Sequence, residues 1–172
     1  MTTEPSKAND EAQLRQLIAD QIIAISAKDL DRIMKPYAAN VVVFDVKPPL
    51  QIKGSDAFRW MWEVCLRYLP ASFQTEMREL SLTISGDLAL AHWLCRFTGV
   101  EKDHPASQTW MRTTAGYRRI EGRWQIVHEH VSVPFHPQTR QAAIHSRKSG
   151  KRMTATATPN DLTGPDHGQP LL

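Results

Sequence analysis

Apolar residues recur at two periods along this chain, mostly helical before residue 70 and strand-like from residue 73 onward. Leu14, Leu17, Ile18, Ile22 and Ile25 fall at helical spacing and form one stripe. Asp10 precedes that stripe where it can cap a helix, with Gln13 positioned for a capping-box contact. A short second helix is predicted from Asp29, with Leu30, Ile33 and Met34 facing inward, and Pro36 stops it. Val41-Val42-Val43-Phe44 is β-branched and aromatic enough for a strand; Pro48-Pro49 separates it from a brief extended piece at 50–53. Gly54-Ser55-Asp56 opens a third helix with Phe58, Met61, Trp62, Cys65, Leu66 and Leu69 on one face, ended by Pro70.

Phe73, Thr75 and Met77 then alternate, and Leu80, Leu82 and Ile84 continue on the opposite parity. A parity change inside one extended segment predicts a β-bulge near Glu79, which bends a sheet. Gly86-Asp87 turns the chain into a strand over 88–98, and a polar loop covers 101–105. Two further strands, 107–120 and 123–133, are joined at Glu121-Gly122. The expected fold is α+β: a strongly curved antiparallel or mixed sheet wrapped around three helices. Residues 1–9 read as a flexible lead-in and 10–136 as the folded domain. The Pro-, Gly- and Thr-rich stretch 137–172 reads as a largely disordered tail, in which Gln138–Ile144 has enough character for one short helical turn.

The last strand changes this from a plain core sheet. On simple alternation Trp124, Ile126, His128, His130 and Ser132 share one side, which suggests a pocket with a polar floor. On the strand before the loop, Ala89, Ala91, Trp93, Cys95 and Phe97 are uniformly apolar, while His92 and Arg96 stand on the other face among leucines. Arg112, between Trp110 and Thr114 on its face, either clamps a carboxylate or enolate oxygen or is consumed by an ion pair with Asp45 or Glu129. Asp45 is either a general base raised by desolvation at the strand end or a turn aspartate accepting backbone N–H bonds. The three imidazoles His92, His128 and His130 lack any HxxxH or HExxH spacing, and Arg112 opposes a cation, so no metal is expected. No phosphate loop, nucleophile elbow or dinucleotide fold pattern occurs.

A formal charge of +3 with the basic excess late in the chain gives no basic face on a folded element, so no nucleic-acid role is expected. Cys65 and Cys95 sit in apolar surroundings where reduced thiols are the default. No apolar run reaches membrane-spanning length and no signal-type stretch opens the chain, so a cytoplasmic protein without membrane association is expected.

The helix–helix–strand–helix–four-strand order, closed by GRWQIVHEHVSVPF, resembles the SnoaL-like and ketosteroid-isomerase-like branch of the nuclear-transport-factor-like cone fold. VVVFDVKPPLQIKG, LALAHWLCRFTG and the Arg112-Thr113 region ahead of YRRIEGRW carry the same resemblance, over about residues 10–136. It implies a conical cavity between sheet and helices and a homodimer through the outer sheet face. It also implies a pocket lined by Asp45, His92, Arg112, His128 and His130, with Tyr37, Trp62 and Trp110 as further ligand-contacting candidates. Steroid isomerases of this branch pair an Asp base with a Tyr and a protonated Asp. No Asp stands in the hairpin strands here, so a His/Arg-polarised enolisation or dehydration is the better match. The resulting expectation is a cofactor-independent isomerase, cyclase or dehydratase with Asp45, His92, Arg112 and His128 catalytic, acting on a small apolar or carboxylate-bearing carbonyl compound. The alternative is a non-catalytic binding or association domain.

Overall fold

The computed structural model describes residues 7–101 and 109–142. Its order is α1 (Lys7–Ser26), α2 (Leu30–Met34), β1 (Tyr37–Phe44), β2 (Ile52–Lys53), α3 (Ser55–Tyr68), β3 (Gln74–Ser85), β4 (Leu88–Thr98), β5 (Met111–Ile120), β6 (Arg123–Ser132), β7 (Phe135–His136) and β8 (Gln141–Ala142). The first six strands form one mixed sheet in the order β2-β1-β6-β5-β4-β3. Strands β3 to β6 run antiparallel in sequence, and β1 joins β6 in parallel. The fold is α+β, with the helices over one face of a large curved sheet. No described helix is long and apolar enough to cross a membrane.

The bulge expected near Glu79 is present. The β3–β4 register shifts between Arg78 and Ser81, Glu79 has φ +57°, and the buried parity passes from Met77 to Leu80. The hairpin at Glu121-Gly122 has φ +49° and +74°, the twist that a tight two-residue connection requires. Helix α2 is capped by Asp29, whose Oδ1 accepts from the Arg32 N–H at 3.1 Å.

Two local expectations change. Asp10 does not cap α1, which starts at Lys7; it lies buried in the first turns and accepts from Arg119 at 2.6 Å. Arg119 also reaches Asp87 at 3.0 Å, so one guanidinium ties α1 to β5 and the β3–β4 turn. Residues 135–142, where a helical turn was expected in part, form the small β7–β8 hairpin, with Arg140 at φ +57° in its turn. The lead-in 1–6, the polar-loop residues 102–108 and the tail 143–172 lie outside the described residues.

The core is the inner sheet face closed by α1 and α3. Leu14, Ile18, Ile33, Val41, Val43, Phe58, Tyr117 and Ile126 are essentially inaccessible there. Each such side chain contributes roughly 1.5–3 kcal/mol from burial.

Candidate active site

Strand β6 decides which side chains enter the core, and it does so through a second bulge. The β5–β6 register runs Tyr117↔Ile126 and then Gly116↔His128, so Val127 is the extra residue. Beyond it the parity inverts. Trp124 and Ile126 are buried before the bulge, and Glu129 is buried after it. His128 and His130 therefore turn to the opposite face, against Phe44, with ring centroids 4.9 and 5.8 Å away. This corrects the expectation that Trp124, Ile126, His128, His130 and Ser132 share one side.

The same face takes the other expected polar residues. Cross-strand pairing aligns Phe44, His130, Thr114, His92 and Ser81 in one row across the outer sheet face. Arg112 lies in the adjacent row between Leu94 and Ser132, exposed, and it pairs with neither Asp45 nor Glu129. His92 and Arg112 share a depression of about 280 Å³ beside Glu79 at the β3 bulge. The Nδ1 of His128 is 2.8 Å from the Val42 carbonyl oxygen. The guanidinium groups of Arg78 and Arg96 both lie over the Trp110 ring, at 4.9 and 4.7 Å from its centroid. Four of the expected residues, His92, Arg112, His128 and His130, are thus brought to the outer face, away from the core.

Three expected residues do face inward. Asp45 continues the buried parity of Val41 and Val43, and its side chain is only 11% exposed. Its Oδ1 accepts from the Lys47 N–H at 2.9 Å, with the Lys47 ammonium 3.7 Å away. Trp62 packs from α3 against Phe58, and its buried indole N–H has no hydrogen-bond partner among the described residues. Tyr37 is buried at the start of β1, with Phe58 edge-on at 4.9 Å.

Tyr37 leads to the centre of the arrangement, Glu129. The Tyr37 hydroxyl donates to Glu129 Oε2 at 2.9 Å and accepts from Gln21 Nε2 at 2.8 Å. Burial raises the Glu129 carboxyl, the Tyr37 hydrogen bond lowers it, and the nearby Asp45 charge raises it; the sum is a group pushed from 4.5 up to about 7. Burial and the Glu129 charge push both Tyr37 and Tyr117 upward, so both remain phenols. Tyr117 stands two residues from Ala115, the direct cross-strand partner of Glu129, on the same face. Its buried hydroxyl has no partner among the described residues. Cys95, its thiol raised by burial, adjoins Thr113 at 3.5 Å. The chemistry available is an acid that titrates near neutrality, an unengaged phenol donor and a second carboxylate, all in apolar surroundings.

Glu129, Tyr117 and Gln21 were not among the expected site residues. Gln21 falls on the α1 stripe, seven residues after Leu14 and four before Ile25, so helical spacing alone marks it as inward. Glu129 was signalled by the apolar set Val127, Val131 and Val133 on its own parity, the same change of phase that revealed the bulge in β3.

Comparison with known proteins agrees with this architecture. The model of the SnoaL-like domain matches residues 14–136. A crystal structure of an NTF2-like protein of unknown function from Pseudomonas putida KT2440 is 39% identical, with a TM-score of 0.73, covering 79% of this chain and 94% of that one. A protein from Streptomyces avermitilis, provisionally described as a dehydratase of the NTF2-like family, is 14% identical at TM-score 0.62, covering 74% and 97%. One from Parabacteroides distasonis ATCC 8503, provisionally described as a ketosteroid isomerase, is 18% identical at TM-score 0.59, covering 75% and 92%. The last two likenesses concern the fold alone. No curated protein matches the chain significantly.

Proposed function

Because this chain belongs to the SnoaL-like family, we propose that it is a cofactor-independent isomerase, cyclase or dehydratase acting on a small apolar carbonyl compound. The observation that carries the reading is the buried Glu129 carboxyl, raised to about 7, on the same face as the unpartnered Tyr117 hydroxyl. A carboxylic acid that is still protonated near neutral pH can donate a hydrogen bond to a developing oxyanion, and so can a free phenol. Asp45 is the matching base, with one oxygen fixed by Lys47. In this mechanism Asp45 takes a proton from the carbon next to the carbonyl. The C–H electron pair becomes the C=C bond, and the carbonyl π pair moves onto oxygen, held by Tyr117 and protonated Glu129. The enolate then either expels a β-hydroxyl that leaves as water with that proton as the C=O re-forms, or, where the substrate has a β,γ-double bond, regains the proton at the γ-carbon as the double bond moves into conjugation, which is isomerisation. Gln21 and Tyr37 orient Glu129 from behind, with Tyr37 occupying Oε2. His92, Arg112 and His128 have no step here, because the outer face holds them.

The test is α-deuteration of β-tetralone, an apolar ketone with an acidic α-C–H, followed by proton NMR in D₂O. Wild type is expected to accelerate exchange over buffer. D45N and Y117F lower that acceleration on the order of 10²-fold, and H92A and R112A leave it unchanged. Exchange that survives D45N, or disappears in R112A, overturns the assignment.

A further inference from the structure

A second cleft lies on the far side of the Gln21–Tyr37 pair, away from Asp45. It has a volume of about 580 Å³ and is bounded by α1, α2, the start of β1 and the start of β6. That is within the usual range for a small-molecule site. Its rim carries Arg32, Lys35 and Arg123, none of which has an ion-pair or hydrogen-bond partner for its charged group among the described residues. The one carboxylate on the rim, Asp20, already accepts from Gln16 at 2.9 Å. The wall beneath combines Leu17, Pro36 and Trp124 with the amides of Gln13, Gln16 and Gln125. Trp124 is 5% exposed, with the Arg119 guanidinium over its ring at 4.3 Å and its indole N–H buried without a partner among the described residues, so it reports on the cleft from its edge. Guanidinium and ammonium groups donate only, so the rim presents unmet cationic donors over a partly apolar wall.

We propose that this cleft binds a small molecule consisting of an apolar, planar body that carries one anionic head, a carboxylate or a phosphate ester. Arg32 and Arg123 supply planar forks suited to either head, and Lys35 adds a point charge. The body lies against Leu17, Pro36 and the exposed edge of Trp124. Excess positive charge alone would select any anion; the apolar part of the wall selects one with a hydrophobic body. The inference does not rest on the acid–base reading given above, since it uses none of Asp45, Tyr117 or Glu129.

The experiment follows the indole N–H resonances of the ¹⁵N-labelled full chain, with Trp124 identified by the peak missing in W124F. Benzoate, phenyl phosphate, benzyl alcohol and inorganic phosphate are titrated at constant ionic strength. Benzoate or phenyl phosphate is expected to move the Trp124 peak saturably, and the tighter of the two tells whether the natural head is a carboxylate or a phosphate ester. Benzyl alcohol and inorganic phosphate are expected to leave the peak in place, as each lacks one half of the ligand. Arg123→Gln and Lys35→Gln, both at exposed positions, each weaken the response about tenfold, the size of one charge-assisted contact. The proposal fails if neither aromatic anion gives a saturable shift, if inorganic phosphate or benzyl alcohol shifts the peak equally, or if both charge-removing variants bind as wild type does.

Discussion

A single carboxyl group governs the chemistry of the inner face, and its protonation also governs stability. Folded Glu129 keeps its proton up to about pH 7, while its ordinary value is 4.5. Between those values the folded chain binds more protons than the unfolded one, so stability falls as pH rises through that window and levels off above it. The full effect is roughly 3 kcal/mol. Glu129→Gln keeps an oxygen that accepts from the Tyr37 hydroxyl but cannot ionise. Urea denaturation at several pH values is therefore expected to show wild type losing stability between about pH 4.5 and 7, with the variant nearly flat across the same range. Parallel profiles for the two proteins would show that Glu129 does not titrate there.

At the scale of the element, bulges decide which sequence patterns reach the interior. The β3 bulge was legible because Leu80, Leu82 and Ile84 visibly change phase after Met77. The β6 bulge was harder to see, because His128 and His130 continue the alternation of Trp124 and Ile126 in plain sequence. An added residue inverts everything beyond it, which is why Glu129 rather than the histidines lies inside. Both readings of Asp45 were legible: it is inward because no irregularity separates it from Val43, and it is a turn aspartate accepting from the Lys47 N–H. The Glu129–Tyr37–Gln21 chain was not, since it joins residues 92 and 16 positions apart and depends on the parallel docking of β1 on β6. The same elements predict opposite outcomes for two glycines. Gly122 holds φ +74° in the β5–β6 hairpin, so Gly122→Ala should cost about 1–2 kcal/mol. At Gly116 a Cβ would meet His128 Cβ at an ordinary 3.7 Å, so Gly116→Ala should change stability by less than about 0.5 kcal/mol. Thermal melts of both variants check the contrast.

At the scale of the molecule, the outer sheet face carries exposed apolar side chains. Leu88, Leu90 and Phe44 are 54%, 47% and 39% exposed there, alongside the histidine row. We propose that a second copy of the chain covers this face, as an isologous dimer would. Sedimentation at micromolar concentration should give a dimer, and Leu90→Arg should shift it to monomer; a wild-type monomer at that concentration would refute the arrangement. The proposed chemistry depends on the protonation state of Glu129. The most direct measurement is the ¹³C chemical shift of its side-chain carboxyl as a function of pH, in wild type and in D45N. The predicted result is a midpoint near 7 that moves lower once the Asp45 charge is removed. A midpoint in the ordinary carboxylate range, or one indifferent to Asp45, would contradict the pairing of these two acids on which the proposed chemistry rests.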